Sequence, residues 1–235
     1  MLLNGAALRG MIEFTLLHNT DTVEDIREFA RKAREGGYAT AYVMPCFSGL
    51  MAKELAGCET LAGGAVGFPT GSEAVEGKIA ETRHHVSVGA GEIDYVININ
   101  MLKSGDYAYV ADEARQIVAA AQGRPVKAII EVTLLTDEEI TRVSKCLMEA
   151  GVDYIKTGTG TQPKPTTVEH VRRIHEAVGS GCRIKAAGGI RDLDTVIEML
   201  KLGVTRFGIS WNSAYAILDE LAARYPDGVE VDTPR

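Results

Sequence analysis

The chain has 235 residues, 46% of them hydrophobic and 24% charged, enough to bury the core of one large α/β domain. A net charge of −7 and an isoelectric point near 5.3 exclude the clustered basic footprint of a nucleic-acid or anionic-membrane binder, so the expected partner is a small molecule. Cys46, Cys58, Cys146 and Cys182 form no CxxC pair, and no apolar run approaches a membrane span, which points to a cytoplasmic protein with reduced thiols.

Residues 1–10, MLLNGAALRG, are too short and too broken by Asn4, Gly5 and Arg9 for a secretory signal and read as an N-terminal extension within a single domain spanning 1–235. The run MIEFTLL (11–17) reads as the first strand. It leads into TVEDIREFARKAREGG, where Val23, Ile26, Phe29, Ala30 and Ala33 share one helical face and Gly36-Gly37 supplies the stop. Further strands are read at ATAYVM (39–44), TLAGGAVGF (60–68), EIDYVIN (92–98), PVKAIIEV (125–132), VDYIK (152–156), CRIKA (182–186) and TRFGI (205–209), eight with the first.

Helical signals fill most of the gaps, the shortest being FSGLMAKELAG. From Thr136 a Thr-Asp-Glu-Glu capping box opens a helix with Ile140, Val143 and Leu147 on one side before Gly151, and TTVEHVRRIHEAVG aligns Val168, Val171, Ile174 and Val178. Strands alternating with helices imply parallel pairing and right-handed crossovers; eight such units favour a closed (β/α)8 TIM barrel over an open doubly wound sheet. No GxGxxG follows the first strand, and no linker or low-complexity tract marks a second domain.

In a barrel the carboxyl ends of the strands converge on one rim, where such folds carry their sites. Lys156 ends the sixth strand, Lys185 lies near the end of the seventh and Asp94 lies within the fourth, so all three can face one mouth. Two lysines on neighbouring strands repel each other, and partial burial adds to that, so at least one is expected to be partly neutral near pH 7. A neutral lysine attacks a carbonyl to give a carbinolamine and then an imine, whose nitrogen withdraws electrons and permits carbon–carbon cleavage. Asp94, coupled to Lys185, is the candidate for moving protons.

The glycine-rich stretches AAGGIRD and FGIS, after the seventh and eighth strands, stand where barrels of this kind bind phosphate. Gly188, Gly189, Gly208 and Ser210 are the expected cradle, with Arg191 as a charge partner; GTGTQPKP adds the Thr159 hydroxyl and Gly160. His18, His84, His85, His170 and His175 share no strand-end pattern and are expected at the surface rather than on a metal. Cys46 is read as an unreactive buried thiol, and Trp211 as packing beside the phosphate loop. Two other readings stand beside this imine-based carbon–carbon cleavage: a phosphosugar isomerase or epimerase, for which Glu131 is the other strand-end carboxylate, and a non-catalytic barrel that binds a phosphosugar.

Taken together, VGFPTG, EIDYVIN, LKSGDY, IIEVTLLTDEE, YIKTGTG and IKAAGGIR resemble the deoxyribose-phosphate aldolases of the class I group, from about Thr15 to Ser210. The resemblance implies a Schiff base on Lys156 and a proton relay through Asp94 and Lys185. It also implies reversible cleavage of 2-deoxyribose 5-phosphate to glyceraldehyde 3-phosphate and acetaldehyde, with no metal or organic cofactor. The chain departs from the family pattern at Glu13-Phe14, where Asp-His is usual, at Gly158, where serine is usual, and at Ile209-Ser210-Trp211. These positions bear on which aldehydes and which phosphate contacts the site uses. The outer helical faces are ordinary amphipathic surfaces and leave a homo-oligomer open.

Overall fold

The computed structural model describes residues 1–234. The chain opens with β1 (Leu2–Leu3) and α1 (Gly5–Arg9), whose first turn is capped by the Asn4 side chain accepting from the Ala7 N–H. Strands and helices then alternate: β2 (Ile12–Leu16), α2 (Val23–Gly36), β3 (Thr40–Val43), α3 (Ser48–Glu54), β4 (Leu61–Val66), α4 (Val75–Ser87) and β5 (Glu92–Val96). The order continues with α5 (Ile99–Lys103), α6 (Tyr107–Ala120), β6 (Val126–Ile129), α7 (Asp137–Glu149), β7 (Tyr154–Lys156) and α8 (Val168–Val178). It ends with β8 (Arg183–Ala187), α9 (Leu193–Lys201), β9 (Val204–Ser210), α10 (Trp211–Arg224) and β10 (Val229–Glu230).

Strands β2 to β9 pair in chain order, each parallel to the next, and β9 returns to β2 to close the barrel. All eight predicted strands are there, as the alternation of apolar runs and helix-period segments required. Residues 1–10 do more than extend the chain: β1 pairs antiparallel with β10, and Leu3 and Leu8 are fully buried.

Local chemistry explains the helix ends. Thr22 and Asp25 form a capping box at the start of α2, and Gly37 closes it at φ +64°, a left-handed conformation that costs glycine least. Ile26, Phe29, Ala30 and Ala33 are buried as their spacing predicts, whereas Val23, in the first turn, is exposed. Helix α7 opens on the Thr136–Glu139 capping box and buries Ile140, Val143 and Leu147. In α8, Val171, Ile174 and Val178 are buried and Val168 is half-buried.

The barrel strands are covered by helices outside and by their own side chains inside, so successive residues alternate between two buried environments. On β2, Phe14 faces outward and stacks between Phe29 (centroids 4.9 Å apart) and Tyr38 (4.2 Å). Its neighbour Glu13 faces inward and reaches Lys185 across the barrel. Branched apolar residues dominate the interior of most such barrels. Here Glu13, Tyr42, Glu92, Asp94, Lys127 and Lys185 occupy it, each at most 3% exposed.

Candidate active site

Strand register brings the predicted residues together. Lys156 on β7 lies beside Lys185 on β8, and Asp94 on β5 lies beside Lys127 on β6. Asp94 Oδ2 accepts from Lys156 Nζ at 2.7 Å and from Lys185 Nζ at 2.5 Å. Lys156 is 6% exposed, against 0% for Lys185 and 1% for Asp94, so Lys156 is the amine that a molecule in the mouth can touch.

Beneath this trio runs an ionic network that sequence reasoning missed. Glu13 pairs with Lys185 and lies 3.3 Å from Lys127. Lys127 Nζ donates to Glu92 at 2.6 Å and to the Tyr42 hydroxyl at 2.9 Å, and stands 3.3 Å from Asp94 Oδ1. Thr40 donates to Glu92 at 2.7 Å, and Arg206 approaches Glu13 at 3.6 Å and Glu92 at 3.7 Å. Lys156 and Lys185 were marked by charge at or near the end of an apolar run; at Glu13 and Lys127 the available signal is charge inside such a run.

Carboxylates Glu13, Glu92 and Asp94 face the cations Lys127, Lys156, Lys185 and Arg206. With all of them ionised the cluster carries one surplus positive charge, and loss of the Lys156 proton removes it. Burial pushes the Lys156 pKa down to about 8, with the Lys185 charge adding to the effect and the Asp94 carboxylate opposing it. Burial would raise the pKa of Asp94, yet Lys156, Lys185 and Lys127 outweigh it and hold the carboxyl well below the usual range. Lys127 loses hydration on burial, but Glu13, Asp94 and Glu92 more than compensate and keep it an ammonium. An amine that is partly neutral near pH 7, touching a carboxylate shared with a second lysine, can attack a carbonyl and exchange the protons that the attack releases.

The rim is built from the segments after β7, β8 and β9. The Thr157 hydroxyl donates to the Ala187 carbonyl at 2.7 Å and accepts from the Ala187 N–H at 2.8 Å, which ties the first two together. Gly160 (φ +85°), Gly188 (φ +98°) and Gly189 (φ +84°) adopt left-handed conformations; a Cβ on Gly188 would lie 3.6 Å from the Gly160 nitrogen. Arg191 is exposed just beyond them. Thr159 is held by Glu131, which accepts from its N–H at 3.1 Å and its hydroxyl at 2.5 Å. Glu131 itself sits at φ +51°, and Gly158 leaves it room, since a Cβ there would meet Glu131 Oε1 at 2.7 Å. Gly208 does not open to the mouth alone: a Cβ would meet Ala187 Cβ at 2.8 Å and Lys185 Cε at 3.3 Å. Ser210 is exposed at the start of α10, its side chain bonded to Ser213 and not to the helix backbone.

Some expectations change. His85 is buried, not at the surface, with Nε2 3.0 Å from the Ala65 carbonyl, because Gly64 leaves space for its ring. Cys46 is exposed on the Pro45–Phe47 turn rather than buried, since the chain leaves the barrel at Met44. Trp211 packs edge-on against Phe29 with Lys32 4.0 Å above its ring, and Phe14 lies in the same outer layer. Neither aromatic enters the barrel interior. Among the described residues no group of His, Cys, Asp and Glu is arranged to hold a metal ion, and no helix is long and apolar enough to cross a membrane.

The chain is similar to deoxyribose-phosphate aldolases along most of its length. One from Sinorhizobium medicae is 42% identical over 217 residues, covering 92% of this chain and 88% of the relative. Another, from Klebsiella pneumoniae, is 38% identical over 224 residues, covering 92% and 90%. Among solved structures, the tetrameric deoxyribose phosphate aldolase from Aeropyrum pernix superposes with a TM-score of 0.83 at 28% identity, covering 93% of this chain and 92% of that one. The profile of the DeoC/LacD family aldolases matches residues 8–209, and the chain belongs to that family.

Proposed function

We propose that this protein is a class I aldolase that reversibly cleaves 2-deoxyribose 5-phosphate to glyceraldehyde 3-phosphate and acetaldehyde through a Schiff base on Lys156. The observation that carries the reading is the shared Asp94 carboxylate between Lys156, the amine reachable from the mouth, and Lys185. Neutral Lys156 adds to C1 of the open-chain aldehyde, and Asp94 with Lys185 delivers the proton that lets water leave the carbinolamine. Removal of the C3 hydroxyl proton then breaks the C2–C3 bond, releases glyceraldehyde 3-phosphate and leaves the electron pair in an enamine. Protonation at C2 and hydrolysis free acetaldehyde and restore the amine.

The phosphate falls to the rim, with Gly160, Gly188 and Gly189 as the backbone cradle, Arg191 as the charge partner, and Thr159, Gly208 and Ser210 beside them. Positive-φ glycines support this reading, as does the start of α10, where no side chain caps the first N–H groups. We read the chain as one catalytic domain acting in the cytoplasm, assembled as a homo-oligomer as the Aeropyrum pernix relative is.

The test incubates the protein with 2-deoxyribose 5-phosphate, reduces with borohydride, maps the adduct by peptide mass and assays acetaldehyde. An adduct on Lys156 with acetaldehyde released is the expected result. An adduct there without acetaldehyde would move the proposal to another donor or acceptor aldehyde, and the absence of any selective adduct would overturn it.

A further inference from the structure

Tyr42 is a large polar side chain inside the barrel, 2% exposed, that neither the sequence reading nor the proton steps above employ. Its ring leaves β3 and lies across β4, where Gly63 is its register partner. A Cβ on Gly63 would come within 2.3 Å of the Tyr42 ring, so the glycine is what allows the phenol to cross β4 and reach Asp94 on β5. The hydroxyl stands 2.6 Å from Asp94 Oδ1 and 2.9 Å from Lys127 Nζ.

The direction of both hydrogen bonds is fixed by chemistry. An ammonium only donates, so the phenol oxygen accepts from Lys127, and its single proton goes to Asp94. Burial, reinforced by Asp94, Glu13 and Glu92, raises the Tyr42 pKa well above its ordinary value, so the phenol stays a neutral donor. The two oxygens of Asp94 are thereby divided: Oδ1 is bound to Tyr42, and Oδ2 is left to Lys156 and Lys185.

We propose that Tyr42 is a positioning residue for the aldol reaction, holding Asp94 by Oδ1 so that Oδ2 aims at Lys156 and drawing off part of the carboxylate charge that would otherwise keep Lys156 protonated. The inference rests on the reading of Lys156 as the nucleophile. The charged groups that face this set from the other strands are Glu13 on β2, Glu92 on β5, Lys127 on β6, Lys185 on β8 and Arg206 on β9. Tyr42→Phe leaves all of them in place and keeps the ring over Gly63. Without the phenol proton, Asp94 binds the Lys156 proton more tightly, and the neutral amine becomes scarcer at neutral pH.

Two readouts test this. The first follows acetylation of Lys156 by acetic anhydride against pH, by peptide mass; it uses no sugar and therefore reports on Tyr42 even if 2-deoxyribose 5-phosphate is not the substrate. Tyr42→Phe should raise the midpoint by about one pH unit and slow labelling near neutral pH about tenfold, the factor that one unit carries. The second is kcat/KM for cleavage, which should fall by a similar factor near pH 7 and recover once the pH exceeds the new midpoint. Gly63→Ala, which keeps the phenol but has no space for the ring where it lies, should move the midpoint in the same direction. An unmoved midpoint would overturn the proposal, and so would a loss of equal size at every pH, the mark of a packing role alone. Absence of cleavage by the unmodified protein would instead refute the substrate assignment.

Discussion

Replacing Asp94 by asparagine separates the two tasks assigned to that carboxylate. The change is nearly isosteric, but it deletes the carboxylate charge that touches both Lys156, at 2.7 Å, and Lys185, at 2.5 Å. At an effective dielectric constant near 20, a unit charge 2.7 Å away is worth about 6 kcal/mol to an ammonium. Even a part of that would lower the midpoint of Lys156 from about 8 by about two units, since one unit corresponds to about 1.4 kcal/mol. The variant therefore holds more neutral amine near pH 7 than the original protein, yet it has lost the group that moves protons. Turnover should fall by about 10² to 10⁴, the range that general acid–base catalysis supplies. Steady-state cleavage with a coupled aldehyde reductase, measured across pH, gives both quantities in one experiment. A retained plateau rate, or an acid limb that stays in place or moves up, would refute the assignment of Asp94 as both charge partner and proton carrier.

Three further outcomes are expected. In the unmodified protein the nucleophile is the base form of Lys156, so kcat/KM should rise with pH through a midpoint near 8 and then level off; a rate that falls across this interval would contradict it. Phe14→Ala should cost about 3 to 5 kcal/mol of stability in denaturant melts, since Phe14 is fully buried between Phe29 and Tyr38, and should leave the pH midpoint of activity unmoved because the ring faces away from the barrel interior. Gly158→Ser should destabilise by about 1 to 3 kcal/mol, because its Cβ meets Glu131 Oε1 at 2.7 Å and forces that carboxylate off Thr159. Thermal melting of Gly158→Ser alone and combined with Glu131→Ala checks this, the second change relieving most of the first.

Most of the fold was legible because the barrel repeats one unit. Each strand run is bounded by turn residues, and the capping box at Thr136 marks a helix start without tertiary information. The pairing of β1 with β10 was not legible: two residues joined to two others across more than two hundred positions leave no periodic trace. Nor was the burial of His85, which depends on a missing side chain at Gly64 on another element. Departures at Glu13 and Phe14 looked like one paired change in the sequence, but strand alternation sends Glu13 to the ionic network and Phe14 to the aromatic layer outside. Only the first of them touches the chemistry.

The site was legible at the two lysines that lead into glycine-rich loops and at Asp94, and illegible at the other charges inside the strands. Lys156 is followed by Thr157 and Gly158, and Lys185 leads through two alanines into Gly188-Gly189, so both invite attention; Lys127 and Glu13 are flanked by apolar residues and pass for fragments of a buried strand. Beyond the first residue of a barrel strand, a charged residue with apolar neighbours on both sides has little access to water, because helices cover the outside and the opposite strands fill the inside. It must therefore meet an opposite charge across the barrel, and a strand set holding several such residues of both signs implies a network before any coordinates are known. Applied to this chain, the rule selects Glu13, Asp94, Lys127 and Lys185, and with Glu92 and Arg206 joined to them Lys156, the residue nearest the mouth, is left to carry the surplus charge. Burial first and the surplus charge second let one lysine be spared as a neutral nucleophile, so the buried network beneath the site and the reactivity at its surface are a single electrostatic arrangement.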